Sequence, residues 1–142
     1  MVDDRITDGR RIAELLASEI DGRVDDELAM LAVANADRDV EPAVGGARAF
    51  DVEFVAAGEF EDRLAPAGDR LARVFVHPDR THLEFDRGRE AAVDAASDRG
   101  LRTRPKASTP PKTIVFLESG AAVKRGVGVL QAAARAYRSR TE

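Results

Sequence analysis

Two histidines beside a tight turn are the first residues of this sequence that could do chemistry. His77 and His82 flank Pro78-Asp79, a pair typical of a hairpin turn, and a hairpin would set the two rings side by side across its strands. Two imidazoles at that spacing can share a metal ion, with Asp79 or Glu84 as an oxygen ligand. The spacing fixes no third ligand, however, and two exposed histidines near a turn can equally stack or hydrogen-bond to each other.

The junction at Ser119-Gly120 is a second candidate, for anion binding. A helix that starts there would present free N–H groups, the glycine would let an anion approach, and Ser119 could add its hydroxyl. The phosphate-binding patterns G-x-x-x-x-G-K-[S/T] and G-x-G-x-x-G are both absent, and Glu118 would repel a phosphate. The sequence therefore favours the simpler interpretation, in which Ser119 caps the helix.

The third candidate is the strongly basic end of the chain. Residues 1–100 carry 13 arginines against 24 acidic residues, a net charge of −11, whereas residues 101–142 carry +7. Such asymmetry predicts an anionic partner, either a nucleic acid or an acidic protein. The candidate binding residues are Arg102, Arg104, Lys106, Lys124, Arg125, Arg135 and Arg138. Against this, no aromatic residue interleaves with these cations in the sequence, and a solvated helix face would carry the same charges.

We predict three helices in the chain. Apolar residues at helical spacing predict a first helix over 8–21, and a second runs over 86–99 before Gly100 ends it. A third helix over 120–138 has an apolar stripe, and its outer face carries Lys124, Arg125, Gln131, Arg135 and Arg138. The stripe consists of Val123, Val127, Leu130, Ala134 and Tyr137.

Strands account for most of the rest. We predict strands over 28–35 and 47–56, a hairpin over 70–85, and a buried strand over 113–117. A stiff basic connector over 102–112, with three prolines, is expected to lack regular structure. The order α-β-β-β-β-α-β-α predicts a single α+β domain over 1–142, a two-layer sandwich with a mainly antiparallel sheet of about five strands. If the last two strands were parallel, their helical crossover would be right-handed.

Composition limits the chemistry further. The chain has no cysteine, which excludes disulfides, thiolate nucleophiles and cysteine metal sites. No apolar stretch approaches a membrane span, no signal peptide is evident, and we expect a cytoplasmic protein. Positive charge is nearly all arginine and negative charge leans to aspartate, so the composition resembles that of small cytoplasmic proteins of salt-loving archaea (haloarchaea), although GC-rich codon usage gives a similar bias.

These features favour a cytoplasmic binding or accessory domain that uses its basic last third against an anionic partner. The alternative is a small ligand-binding domain or enzyme with a site at Ser119-Gly120 or at the His77/His82 hairpin. A third interpretation is a homodimer through the last helix. No cofactor signature is present, and enzymatic activity is not expected.

Overall fold

The computed structural model describes residues 7–22, 31–54, 70–107 and 111–141. In chain order the elements are α1 Gly9–Gly22, β1 Leu31–Ala34, β2 Ala47–Phe54, β3 Arg70–Val76, β4 Thr81–Phe85, α2 Arg89–Asp98, β5 Thr103–Lys106, β6 Lys112–Leu117 and α3 Val123–Thr141, with a 3-10 turn Gly120–Ala122 before α3. The predicted helices and the predicted hairpin are confirmed. Residues 28–30 and 55–56, which the predicted strands include, lie outside the described part of the chain.

The strands form one open antiparallel sheet in the order β1-β2-β3-β4-β6-β5. The α+β prediction is confirmed, with six strands in the described part of the chain where about five were predicted. β4 and β6 pair antiparallel, so the condition for a right-handed parallel crossover is not met. The helix α2 and the edge strand β5 instead return the chain so that β6 can pair with both β4 and β5.

All three helices pack against one face of the sheet. Alternate strand residues point to that face and join the buried core, among them Val74 of β3, Leu83 and Phe85 of β4, and Val115 of β6. The helix α1 packs on β1, β3 and β4, while α2 and α3 pack on each other and on β6. We call the opposite face, which carries the intervening residues, the open face.

The prediction that 102–112 lacks regular structure was wrong for its first half. Thr103–Lys106 forms β5 and pairs with β6, opposite Lys112–Val115. Pro105 is tolerated because β5 lies at the sheet edge, where a residue without an N–H group breaks no ladder on its outer side. The positions of three cations, Arg102, Arg104 and Lys106, are therefore fixed by the sheet.

The second helix begins three residues later than predicted. Gly88 precedes it with φ 63°, a left-handed conformation that glycine adopts without steric cost. Asp86, the expected first residue, instead accepts a 2.8 Å hydrogen bond from Arg70 Nε, and Lys112 Nζ lies 3.6 Å from its carboxylate. Ion pairing on the open face thus holds Asp86 away from the helix.

Gly9, the first residue of α1, allows this helix to pack closely against the hairpin turn. Thr81 Oγ1 donates a 2.7 Å hydrogen bond to the carbonyl oxygen of Gly9. A Cβ atom at Gly9 would lie 1.9 Å from the His77 carbonyl oxygen and 2.3 Å from that of Arg80, so only glycine fits here. The approach fixes the helix against the turn that carries His77.

Gly9→Ala should therefore lower the free energy of unfolding by about 3 kcal/mol, the cost of overpacking a site with rigid backbone walls. Urea denaturation followed by circular dichroism measures the change. The control is Gly45→Ala, since nothing lies within 4 Å of a Cβ atom there, and it should alter stability by less than about 0.5 kcal/mol. Equal effects of the two substitutions would contradict this close approach.

Candidate functional site

Cross-strand register brings polar and aromatic residues into two rows on the open face. One row runs Asp51, Arg73, Glu84, Ile114 and Arg104 across β2, β3, β4, β6 and β5. The neighbouring row places His82 between Phe75 and Phe116. The centre of the sheet therefore carries a histidine and a carboxylate two residues apart, with cations toward the β5 edge.

The hairpin histidines meet, but not in the predicted register. His82 lies opposite Phe75, while the turn pairs His77 with Arg80 through a 2.8 Å hydrogen bond from His77 N to Arg80 O. The prediction that the two histidines face each other directly was therefore wrong. They are diagonal neighbours on the same sheet face, where long side chains still touch.

A continuous chain of contacts runs through both imidazoles. His77 Nδ1 lies 2.9 Å from the carbonyl oxygen of Val44, and His77 Nε2 lies 2.7 Å from His82 Nδ1. His82 Nε2 lies 3.0 Å from Glu84 Oε2. Lys106 Nζ then donates to both oxygens of Glu84, at 3.1 and 3.2 Å. Four side chains from the hairpin and from β5 thus form one network, in which His77, His82 and Glu84 are buried and Lys106 is 44% exposed.

Burial and charge act in opposite directions on this network. Burial, the largest influence, lowers the pKa of His82, and the hydrogen bond to Glu84 only partly offsets it. For Glu84, burial acts to raise the pKa, but the hydrogen bonds and the charges of His82 and Lys106 together outweigh it and the pKa is lowered. Glu84 is therefore a buried carboxylate that its neighbours keep ionised.

The two histidines are hydrogen-bonding residues in this geometry. Every ring nitrogen already has a partner within 3.0 Å. Within the ranges that the structure describes, no three His, Asp or Glu side chains cluster closely enough to hold a metal. The metal hypothesis thus gains no third ligand, and we do not assign His77 and His82 as ligands.

A cavity of about 440 Å³ opens over this network, between the hairpin and β5. Its polar lining consists of His77, Arg80, His82, Glu84, Arg104 and Lys106. Three of these side chains are cationic and one is anionic, so the lining has a net charge of +2 with neutral histidines. Arg104 is exposed and makes no hydrogen bond or ion pair with any residue that the structure describes. The cavity is thus a concave cationic site on an acidic protein.

An aromatic ring does lie among the cations, contrary to the sequence interpretation. The guanidinium carbons of Arg102 and Arg80 lie 4.8 and 5.7 Å from the centroid of the Phe116 ring. Phe116 is in β6 and lines the cavity. The sequence did not reveal this arrangement because Arg80 belongs to the hairpin turn, while Arg102 immediately precedes β5.

The other predicted cations divide between two layers. Arg102 forms a two-pronged ion pair with Glu118, at 2.9 and 2.7 Å, so its charge is already compensated. Lys124 and Arg125 lie on α3 in the helical layer, where Arg125 donates to the carbonyl oxygen of Arg99. Arg135 is exposed on the same helix, and the side chain of Arg138 is outside the described part. Of the members of the predicted set whose side chains are described, only Arg104 and Lys106 line the cavity.

The Ser119-Gly120 junction gives no geometric support for an anion. Ser119 stands in the cap position, but its side chain makes no capping hydrogen bond. Gly120 is buried and begins only a three-residue 3-10 turn before α3. Its role as an anion site stays a prediction without a contact to support it.

The apolar stripe of α3 is used within the chain. Val123, Val127, Leu130 and Ala134 are buried in the core, and Tyr137 packs at its margin, 5.1 Å from the ring of Phe54. Over the part of this helix whose side chains are described, the homodimer prediction therefore has no exposed apolar stripe to support it. Among the helices that the structure describes, none is long and apolar enough to cross a bilayer.

The fold and site together define an α+β domain with a helix-covered sheet face and a cationic cavity on the other. The chain belongs to the DUF7993 family of unknown function, whose model matches residues 1–142. No curated protein and no solved structure matches it.

Replacing Glu84 with glutamine tests the network. Glu84→Gln keeps the shape but removes the charge that Lys106 and His82 contact, so the free energy of unfolding near neutral pH should fall by about 1–2 kcal/mol. Because the pKa of Glu84 is lowered from 4.5, its ionised form stabilises the fold above that pH, and this contribution is lost as the pH falls through the lower folded value. The variant should therefore lose less stability than the wild type as the pH falls below about 4.5.

Urea titrations at several pH values measure both effects. Glu14→Gln is the matched control, because Glu14 is a 55% exposed partner of Arg11 on α1 and should change stability by less than about 0.5 kcal/mol. If the free energy of unfolding of Glu84→Gln falls with pH as steeply as that of the wild type, the network does not hold the carboxylate ionised.

Proposed function

We propose that the chain is a cytoplasmic, non-enzymatic binding domain that holds a phosphate-bearing ligand in the cavity between the hairpin and β5. The observation that carries the proposal is the convergence of three cations, Arg80, Arg104 and Lys106, on one concave site. They come from the hairpin turn and from β5, which are separate in sequence and adjacent only through the sheet. Nucleic acid is the ligand that the basic last third of the sequence favours.

The chemistry of the lining suits a phosphate group. An arginine guanidinium donates in a fork that matches two phosphate oxygens, and a lysine adds a compact point charge. Arg104 supports the proposal most directly, since its donors are unused by the residues that the structure describes. The cavity volume of about 440 Å³ lies in the ordinary range for small ligands and suits one nucleotide unit.

The histidines support binding rather than catalysis. A general base must reach a substrate proton with a free nitrogen, whereas both rings here already use both nitrogens. Both residues are also buried, with exposed fractions of 4% for His77 and 6% for His82. The residues of the hairpin thus form the floor of the site.

The charge-reversal variant Arg104→Glu tests the proposal. With a fluorescent oligothymidylate of about 12 nucleotides, fluorescence anisotropy should show binding that weakens about tenfold in this variant. Arg11→Glu is the matched control, because it reverses an exposed arginine on α1 in the helical layer, and it should bind within about twofold of wild type. Equal affinities of Arg104→Glu and wild type would contradict the site.

Two further experiments identify the surface that binds the ligand and the chemical class of the ligand. If Lys124→Glu weakens binding and Arg104→Glu does not, the α3 face binds the ligand instead of the cavity. If thymidine monophosphate competes at concentrations as low as those of the unlabelled oligonucleotide, the ligand is a small molecule. If an acidic peptide competes better than both the nucleotide and the oligonucleotide, the ligand is an acidic protein. Since we also propose adaptation to concentrated salt, the titrations are repeated at about 1 M salt, where only short-range contacts survive screening.

A further inference from the structure

The contacts along His77, His82 and Glu84 require a definite number of hydrogens. Each of the three contacts, from the Val44 carbonyl to Glu84, needs one hydrogen between its two heavy atoms. The Val44 carbonyl can only accept, and an ionised carboxylate can only accept. Two neutral imidazoles supply two hydrogens in total. Three hydrogen bonds therefore need one proton more than neutral histidines with an ionised Glu84 possess.

That additional proton belongs to the set rather than to one residue. Because the Val44 carbonyl accepts, His77 Nδ1 must carry a hydrogen, and the extra proton then makes His77 or His82 an imidazolium, or Glu84 a carboxylic acid. Lys106 contacts both oxygens of Glu84 and so favours the carboxylate. When this proton is present it is therefore held on the imidazoles, and the set of three side chains is then electrically neutral.

Burial and the neighbouring cations disfavour the protonated form of this set in the free protein. Four charged groups face the imidazoles: Glu84 from β4, Lys106 and Arg104 from β5, and Arg80 from the turn. Arg80 in turn donates a hydrogen bond to Asp79. The neighbours across β3 and β6 are the uncharged rings of Phe75 and Phe116. Burial and the coulombic effect of Lys106 both lower the pKa of His82, while Glu84 raises it. Among the described residues that line the cavity, one anion thus faces three cations around a buried imidazolium.

An anion in the cavity changes that balance. It would lie among Arg80, Arg104 and Lys106 and offset their repulsion of the proton, and the protonated set would in turn attract the anion. Two ligands that favour each other's binding must do so reciprocally and by the same factor. The binding of the proton and the binding of the anion would be coupled in this way because the residues that hold them line the same cavity.

We propose that the cavity binds its anion together with one proton, which the hydrogen-bonded set of His77, His82 and Glu84 takes up. The inference rests on the proposed function, because it concerns the same cavity, and it adds a proton site to it. Anion affinity should therefore rise as the pH falls from about 8 to about 5.5, by up to about tenfold per pH unit, the limit for uptake of one proton.

Isothermal titration calorimetry with oligothymidylate of about 12 nucleotides measures this coupling, since neither its phosphodiesters nor its bases titrate in that range. Titrations in two buffers of different ionisation enthalpy give the number of protons taken up, which should approach one. Sulfate, a dianion throughout the range, is the small-anion arm. If both probes show the proton uptake, the coupling comes from the cavity itself, whereas uptake with neither overturns the inference.

Substitution of the set and a spectroscopic measurement complete the test. Glu84→Gln and His82→Gln should each abolish the pH dependence of affinity, and a slope that persists in both folded variants overturns the inference. Should either variant fail to fold, nitrogen-15 NMR of the wild-type imidazoles decides, because the bound state should show one ring with both nitrogens protonated. Binding at constant affinity across the pH range overturns the inference and leaves the proposed function intact. Absence of binding at every pH overturns both.

Discussion

The buried carboxylate of Glu84 is the constraint on which the arrangement of the open face depends. Its side chain is only 5% exposed, and an ionised group so placed is costly unless hydrogen bonds and opposite charge compensate for it. The compensation comes from His82 on the same strand and from Lys106 on the edge strand β5. Because these groups satisfy one another, the hairpin, β6 and β5 are held in a register that also forms the cavity.

The two faces of the sheet differ in chemistry. The helix-covered face contains the continuous apolar core, in which residues such as Leu83, Phe85 and Val115 are fully buried. The open face contains ion pairs instead, and these use most of its charges: Asp51 is held by Arg48, and Asp86 by Arg70. Arg104 differs because no described residue neutralises it. This uncompensated positive charge is the reason why we propose an anionic ligand for this face.

Much of the fold followed from local pattern. The helical stripes predicted all three helices, and the Pro78-Asp79 turn between apolar alternations predicted the hairpin. The edge strand β5 was missed because its proline and cations are typical of a connector, and its hydrogen bonds come from the neighbouring strand β6. The site was predicted in separate parts: His77 and His82 in one hypothesis, Arg104 and Lys106 in another. Arg80 and Phe116 were not among its candidates.

By itself the sequence determined the class of the fold, the hairpin, and the excess of positive charge in its last third, because periodicity, turn chemistry and composition act over short stretches of chain. Only the tertiary structure decided which charges meet. Lys106 reaches Glu84 across 22 positions, and the rings of His77 and His82 meet diagonally rather than face to face. The physical reason is register: a shift of one residue between strands reverses every side chain to the other face, and pairing between distant strands fixes it.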